Sequence, residues 1–453
     1  MSSNRSSFTG KLGFVLAAAG SAVGLGNIWR FPYLAAKYGG GIFLLVYIIL
    51  SLTFGFSLMA AEIAIGRKTQ LSPIGAYTAL NKRFAFVGWL SALIPVMILP
   101  YYSVIGGWVI KYLFGFVTGD AHNMAQDAYF PSYIGEIWQP IGWFFLFIAI
   151  TAVIVLFGVE KGIEKVSKVM MPILIVLTIV IAVYTIVTMD GAWEGVIYYI
   201  KPDLSHFSVM TVVAAMGQLF YSMSLAMGIM ITFGSYMKKD ISIERSIHQI
   251  EIFDTGVAFL AGLMIIPAVF AFSGGNEEAL GQGPGLMFVT LPKIFDAMPL
   301  GTVIGIAFFL MVFLAALTSS ISLMETVVSI FMDKLKLSRK ASCVTVFGIC
   351  LLLGIPSALG TSAWSGVRIL GMQILDFFDF TSNSIFMPIA AFFTCVIVGY
   401  IIKPKAVIEE IVLCDNKFRL KSLFTVMIRY VAPICILLIL GSSVLSAIGM
   451  ISI

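Results

Sequence analysis

Charge is what this sequence has least of. Lysine and arginine number 28 and aspartate and glutamate 23, together 11% of 453 residues, where a soluble domain carries roughly 25%. With 60% hydrophobic residues and a mean hydropathy of +1.02, the chain has too little polar surface to enclose one water-facing core. The class that remains is a polytopic membrane protein. Catalytic signatures are missing as well. The histidines, His122, His206 and His248, form no HExxH, and no GxSxG occurs. The Gly24–Gly26 stretch fails the dinucleotide fingerprint because Trp29 stands where the third glycine belongs. An enzyme is not expected. Cysteines are few, and Cys343, Cys350, Cys395, Cys414 and Cys435 all lie in the C-terminal third without a CxxC pair, so they read as free thiols. No small-residue cleavage site precedes a polar mature region, so the first apolar run is expected to be a membrane helix and not a leader.

What the chain has instead is long apolar runs. A spanning helix needs about 20 apolar residues. Eleven candidates fall at about 11–36, 41–66, 85–114, 141–157, 166–187, 207–236, 248–272, 300–331, 342–359, 373–401 and 425–451. Most basic residues sit in alternate connections: Arg5 and Lys11; Arg67, Lys68, Lys82 and Arg83; Lys161, Lys165 and Lys168; Lys238, Lys239 and Arg245; Lys334, Lys336, Arg339 and Lys340; Lys403, Lys405, Lys417, Arg419 and Lys421. The preference of such residues for the cytoplasmic side puts the N-terminus in the cytoplasm and, after eleven crossings, the C-terminus outside. The net charge of +5 therefore reads as orientation in a bilayer, not as attraction to nucleic acid. Among the longer outer connections, 281–295 reads as a re-entrant or capping element.

Two of these helices are interrupted. Residues 20–32, GSAVGLGNIWRFP, put three glycines, Asn27, Arg30 and Pro32 inside the first span. Glycine weakens a helix, and asparagine and arginine are expensive in hydrocarbon. Gly20 and Gly24 alone would fit a small-residue packing face, but Gly26 and Asn27 extend the interruption. A second lies at 217–236, GQLFYSMSLAMGIMITFGSY, in the sixth span. If residues 1–187 and 207–401 are two five-helix units, the odd helix number inverts the second, and the interruptions fall at matching places. Paired breaks of this kind mark the binding site of a transporter. An unwound helix frees carbonyls for a cation and N–H groups for an anionic substrate group.

At this point the sequence resembles the sodium:neurotransmitter symporter family over nearly its whole length. The resemblance rests on AAAGSAVGLGNIWRFPYLAAKYGGG, GQLFYSMSLAMG, GLMFVTLPKIF and AALTSSISLMETVVSIFMDKLKLSRK, in family order. It implies an all-α polytopic membrane protein with an inverted five-plus-five helix repeat, unwound helices one and six, and an extra helix at 425–453. It further implies sodium-coupled amino acid symport in a bacterial inner membrane. Helix twelve of many relatives is missing, which removes one dimer surface, so a monomer is expected.

The resemblance also implies residue roles. Sodium site one would use Ala22, Asn27, Ser222 and Asp254. Site two would use Gly20, Val23, Ala315, Thr318 and Ser319, although the two hydroxyls could instead bond back to their own helix. The substrate would lie among Ser21, Ala22, Gly24, Leu25, Gly26, Ile98, Tyr102, Tyr221, Ser222, Ser224, Met227, Ser319 and Leu323. Gly24, where monoamine-transporting relatives carry aspartate, leaves room for a substrate that brings its own carboxylate. A largely apolar side-chain pocket points to a large hydrophobic or aromatic amino acid. Ala226 departs from a frequent glycine. Asp254 departs from the usual asparagine, in a region where chloride-dependent relatives hold an anion at positions matching Tyr47, Gln218, Ser222, Asp254 and Ala258. The expectation is that Asp254 supplies the negative charge itself and transport needs no chloride.

For the gates, the resemblance implies an outer pair, Arg30 with Asp379, under a lid of Tyr102 and Tyr221. It implies an inner pair, Arg5 with Asp333, supported by Ser235 and Tyr236. Helix five carries Gly162 and Pro172 with nine residues between them, where similar bacterial proteins unwind. A passive channel is the alternative reading of the chain.

Overall fold

The computed structural model describes residues 7–274, 283–414 and 417–447, and these are almost entirely helical. Among them, nine helices are long and apolar enough to cross a membrane. In chain order with the broken segments they are α1 (Lys11–Ala22), α2 (Gly26–Lys37), α3 (Gly41–Thr69), α4 (Lys82–Val117), α5 (Trp138–Leu156), α6 (Val159–Thr188), α7 (Val209–Ser222), α8 (Ile229–Ser235), α9 (Ile243–Ser273), α10 (Gly301–Leu335), α11 (Arg339–Leu359), α12 (Ile374–Ile401) and α13 (Lys421–Ala447). The nine exclude α1, α2, α7 and α8. Helices α1 and α2 together make a tenth span, bent by 55° at its break. The sixth candidate span is divided into α7, 14 residues, and α8, 7 residues. At 1.5 Å per residue neither half reaches the roughly 30 Å of a hydrocarbon core.

Helix boundaries follow local chemistry. Ser208 opens α7 with a capping box, exchanging bonds with Thr211. Ser242 and Ser338 accept the backbone N–H groups of Arg245 and Ala341 at the starts of α9 and α11. Gly274, left-handed at φ 66, closes α9. Pro95, Pro100, Pro172, Pro267 and Pro356 lie inside helices, which membrane bundles tolerate because neighbours re-satisfy the freed carbonyls.

Helices α1 and α10 form the centre. Every residue from Gly13 to Ala22 is buried, as is every residue from Leu314 to Ile330. The periphery is apolar too. Val169, Ile173, Val176, Val180 and Val183, spaced by four and three along α6, are each at least 43% exposed. Such a stripe on a helix faces lipid, since a water-facing surface of that size would drive association.

The described part of 281–295 forms a short helical element, Leu286–Thr290 continuing into Leu291–Ala297, held where the Tyr112 hydroxyl donates to the Phe288 carbonyl at 2.8 Å. Helix five differs from expectation: α6 runs unbroken from Val159 to Thr188 with Pro172 inside it, and only its opening turn, Val159–Glu164, is wide. The five cysteines are free, three of them buried.

Candidate functional site

The first break begins where α1 ends at Ala22 and Val23 turns extended, at φ −76 and ψ 96. The chain re-enters helix through a wide turn in which the Phe31 N–H reaches back to the Gly26 carbonyl. The second break, Met223 to Gly228, holds three left-handed residues: Ser224 at φ 53, Ala226 at φ 62 and Gly228 at φ 77. Two of them carry a Cβ, a strained arrangement that surrounding contacts must impose. Those contacts are present. The Ala226 N–H donates to Glu62 Oε1 at 2.7 Å. The Ser224 hydroxyl donates to the Ser21 carbonyl at 2.9 Å and lies 3.1 Å from the Ser21 hydroxyl.

The freed groups of helix one are met from three other helices. Ser319 Oγ of α10 approaches the Ser21 carbonyl at 3.1 Å and those of Gly20 and Val23 at 3.4 Å each. Gln218 Nε2 of α7 donates to the Gly26 carbonyl at 2.9 Å. The Leu25 N–H points at Tyr102 Oη of α4, 3.4 Å away. The Gly24 N–H turns inward to Asn27 Oδ1 at 3.2 Å.

Between the breaks lies a cavity lined by the thirteen substrate positions named from the sequence, together with Asn27 and Ile229. All its lining residues except Tyr221 are buried. A Cβ on Gly24 would stand 2.7 Å from Ser319 Oγ and 3.1 Å from Tyr102 Oη, and one on Gly26 would strike the Tyr221 ring. Both glycines are therefore set by close approach. The apolar wall is Ile98, Met227, Ile229 and Leu323, with no lysine, arginine, aspartate or glutamate in the lining.

Behind the cavity the Asp254 carboxylate of α9 is fully engaged. It accepts from Ser222 Oγ at 2.6 Å, Asn27 Nδ2 at 2.8 Å and Tyr47 Oη at 3.2 Å. Ala22, Asn27 and Ser222 line the cavity beside it. Oxygen-rich donors of this type suit a hard cation. Gln218 does not join the anion-type group with Tyr47 and Ser222, being turned to Gly26, while Ala258 lies buried one turn along α9. At the second set, Ser319 gathers the Gly20 and Val23 carbonyls as described. The Thr318 hydroxyl bonds back to Leu314 at 3.1 Å and Ala315 at 3.0 Å, the local alternative that the sequence left open. Gly20 lies directly across from Thr318, where a Cβ would come within 3.2 Å.

The outer gate residues are placed differently from expectation. Arg30 and Asp379 make no ion pair. Asp379 accepts from Asn383 Nδ2 at 2.7 Å and Tyr101 Oη at 3.0 Å, while the Arg30 guanidinium lies over the Tyr221 ring, 5.6 Å from its centre. The carboxylate finds neutral donors on its own helix and on α4, and the cation finds a ring face. On the other side, Arg5 lies outside the described residues. Asp333 accepts the Ser72 N–H at 2.7 Å, and the Tyr236 hydroxyl donates to Glu325 at 2.8 Å. Ser235 bonds within its own helix, to Thr232. Glu325 is in turn paired with Arg339, which also donates to the Val155 carbonyl. Sequence reasoning missed Tyr101, Asn383, Glu325 and Arg339. Glu325 carried a usable signal, an acid deep in an apolar helix that must have a partner.

Comparison with known proteins agrees with this geometry. A model of the sodium:neurotransmitter symporter family matches residues 5–129 and 132–450. An uncharacterized sodium-dependent transporter of Bacillus subtilis, YhdH, is 35% identical over 437 residues, covering 95% of each chain. The sodium- and chloride-dependent taurine transporter of Rattus norvegicus is 28% identical, over 88% of this chain and 71% of its own. The crystal structure of MhsT in complex with L-phenylalanine superposes with a TM-score of 0.87 at 38% identity, covering 97% of this chain and all of that one. Two helix breaks around a cavity with a largely buried lining, a matching transporter fold and a family match along almost the entire chain lead to one assignment: this multi-pass membrane protein belongs to the sodium:neurotransmitter symporter family.

Proposed function

We propose that the protein is a sodium-coupled symporter that imports a neutral amino acid with a large hydrophobic or aromatic side chain by alternating access. The observation that carries this reading is the cavity between the two helix breaks. Its polar end combines the outer half-helix N–H groups near Leu25 and Gly26 with Tyr102 Oη, suited to a carboxylate, and carbonyls near Ser21, Tyr221 and Ser224 suit an ammonium. Its other end is apolar and uncharged, so a charged side chain would be buried there without a partner. The phenylalanine bound to the related MhsT agrees with that chemistry.

In this reading Ala22, Asn27, Ser222 and Asp254 hold one sodium ion beside the substrate carboxylate. Gly20, Val23, Ala315, Thr318 and Ser319 hold a second. The moving units are the five-helix repeats of residues 1–187 and 207–401, with the helix at 425–453 outside them. The N-terminus is cytoplasmic, the C-terminus lies beyond an inner bacterial membrane, and the working unit is a monomer. Arg30 and Asp379 meet only in the substrate-closed state, since each has another partner here. Asp254, already carrying the charge that an anion would bring, makes chloride unnecessary.

The test is uptake of radiolabelled amino acids into proteoliposomes under an inward sodium gradient, with unlabelled amino acids competing. Saturable uptake that requires sodium and is displaced by phenylalanine, tryptophan or leucine is expected. Equal uptake with sodium and potassium would overturn the symporter, and non-saturating flux would favour a passive channel.

A further inference from the structure

A crevice of about 390 Å³ lies between α3 and α9, apart from the transport cavity. Ile48, Leu52, Ile252 and Phe259 supply its apolar walls, and Leu52 and Ile252 are 49% and 70% exposed, so it opens toward lipid. Its α3 side includes the start of a wide turn, Ser51–Gly55, a departure from α-helix that often accompanies a functional site. Its α9 side includes Gly256, where a Cβ would meet nothing within 4 Å. Three polar side chains border this apolar space: Ser51, Thr255 and Glu251. The two hydroxyls satisfy each other at 3.2 Å. Glu251 is only half satisfied. Its Oε2 lies 3.0 Å from His248 Nδ1, whose ring stacks on Phe56, but Oε1 is buried with no hydrogen-bond partner among the described residues. The residue as a whole is 2% exposed. A buried carboxylate in this condition is costly until a donor reaches it.

We propose that this crevice binds an aminophospholipid, with the lipid ammonium donating to Glu251 and an acyl chain lying between α3 and α9 toward Phe259. Charge and depth select that occupant. The unsatisfied atom is a carboxylate oxygen, so the occupant must bring a donor, and a cationic donor makes the stronger bond. Helix α9 has 31 residues. It is therefore about 46 Å long, about 16 Å more than the hydrocarbon core. With the excess shared between its ends, Glu251, eight residues past Ile243, lies about 4 Å inside the hydrocarbon boundary. At that level the headgroup of a lipid meets its chains. With the N-terminus in the cytoplasm, as proposed above, the leaflet is the inner one. Phe259 lies about 12 Å deeper, so the apolar walls run in the direction of the tail. A small inorganic cation would find too few free oxygens here, since the hydroxyls of Ser51 and Thr255 are paired with each other. A water-soluble amine would leave the apolar walls unfilled. Ser51 also approaches Met223 Sδ at 3.9 Å, so an occupant is one side chain from the second helix break.

The test is native mass spectrometry of the full-length protein in detergent, titrated with phosphatidylethanolamine, phosphatidylcholine and phosphatidylglycerol of identical acyl chains. Phosphatidylcholine carries the same positive charge but no N–H donor. Phosphatidylethanolamine is expected to bind about ten-fold more tightly than either of the others, the factor for one charge-assisted bond. Glu251→Gln should bring phosphatidylethanolamine and phosphatidylcholine to equal affinity. Gly256→Phe places its ring in the open space of the crevice and should weaken phosphatidylethanolamine by a similar factor. It also decides the matter where Glu251→Gln does not yield folded protein. Equal affinity of the lipids for the wild type, or a preference that survives either variant, would overturn the site. Stabilisation by sodium that is lost in Glu251→Gln, without any lipid preference, would put an inorganic cation at Glu251 and overturn it as well. Lipid binding in detergent is read without uptake, so a failure of the transport reading leaves this result unaffected.

Discussion

The Ser224 hydroxyl donates to the Ser21 carbonyl at 2.9 Å, tying the break in the sixth helix to the break in the first. Ser224 is held at φ 53, so the bond and the strained backbone occur at one residue. Removing a single buried bond of this kind costs about 1 kcal/mol. Ser224→Ala should therefore weaken substrate binding about five-fold, since RT sets a factor of ten at about 1.4 kcal/mol. Equilibrium binding of labelled substrate checks it, with thermal stability largely kept.

Gly24→Asp should abolish amino acid uptake. A Cβ alone would stand 2.7 Å from Ser319 Oγ, and a carboxylate would occupy the place of the substrate's own and repel it. Uptake in proteoliposomes is the measurement. Retained uptake of the same amino acids would contradict the placement of the substrate carboxylate.

Asp254→Asn should leave the Tyr47 and Ser222 hydroxyls without their anionic acceptor. Uptake in chloride-free buffer should then fall by about ten-fold or more, as expected for losing a buried charged acceptor, and added chloride should restore part of it. Full activity without chloride would show that Asp254 does not substitute for an anion.

Arg67, fully buried at the end of α3, donates to Glu410 Oε1 at 2.8 Å and to the Ile241 carbonyl at 2.7 Å. Arg67→Leu strands the Glu410 carboxylate and should cost about 3–5 kcal/mol of stability. The double variant Arg67→Leu with Glu410→Leu should recover most of that, because the pair and not either charge is what burial tolerates. Thermal unfolding in detergent, followed by loss of monodisperse protein, compares the two.

Much of the site could be read from local sequence. Gly24 and Gly26 were legible because no other residue explains three glycines beside an asparagine in an apolar run, and the cavity shows what each gives way to: Ser319 and Tyr102 for the first, Tyr221 for the second. Ser319 was assigned to an ion site through the resemblance, and its hydroxyl lies 3.4 Å from the carbonyls of Gly20 and Val23. Gln218 was named through the resemblance as one of the anion-type positions. Its turn toward Gly26 and away from Asp254 depends on which freed carbonyl lay within reach. The Arg30–Asp379 pairing was carried over from the family resemblance, and the two do not meet here. Asp379 has Tyr101 and Asn383 nearer, and hydroxyl and amide donors leave no charge signature in a sequence.

The sequence alone therefore determined that the chain crosses a membrane many times and which two of its helices are broken. Hydropathy and helix-breaking residues act within a few positions of themselves, so these properties can be read along the chain. Only the tertiary structure decided the partners. Glu325 with Arg339, Glu164 with Thr9, and Arg67 with Glu410 across 343 residues each satisfy a buried charge. Burial creates the need for a partner, but only the packing of distant helices determines which donor is close enough to meet it.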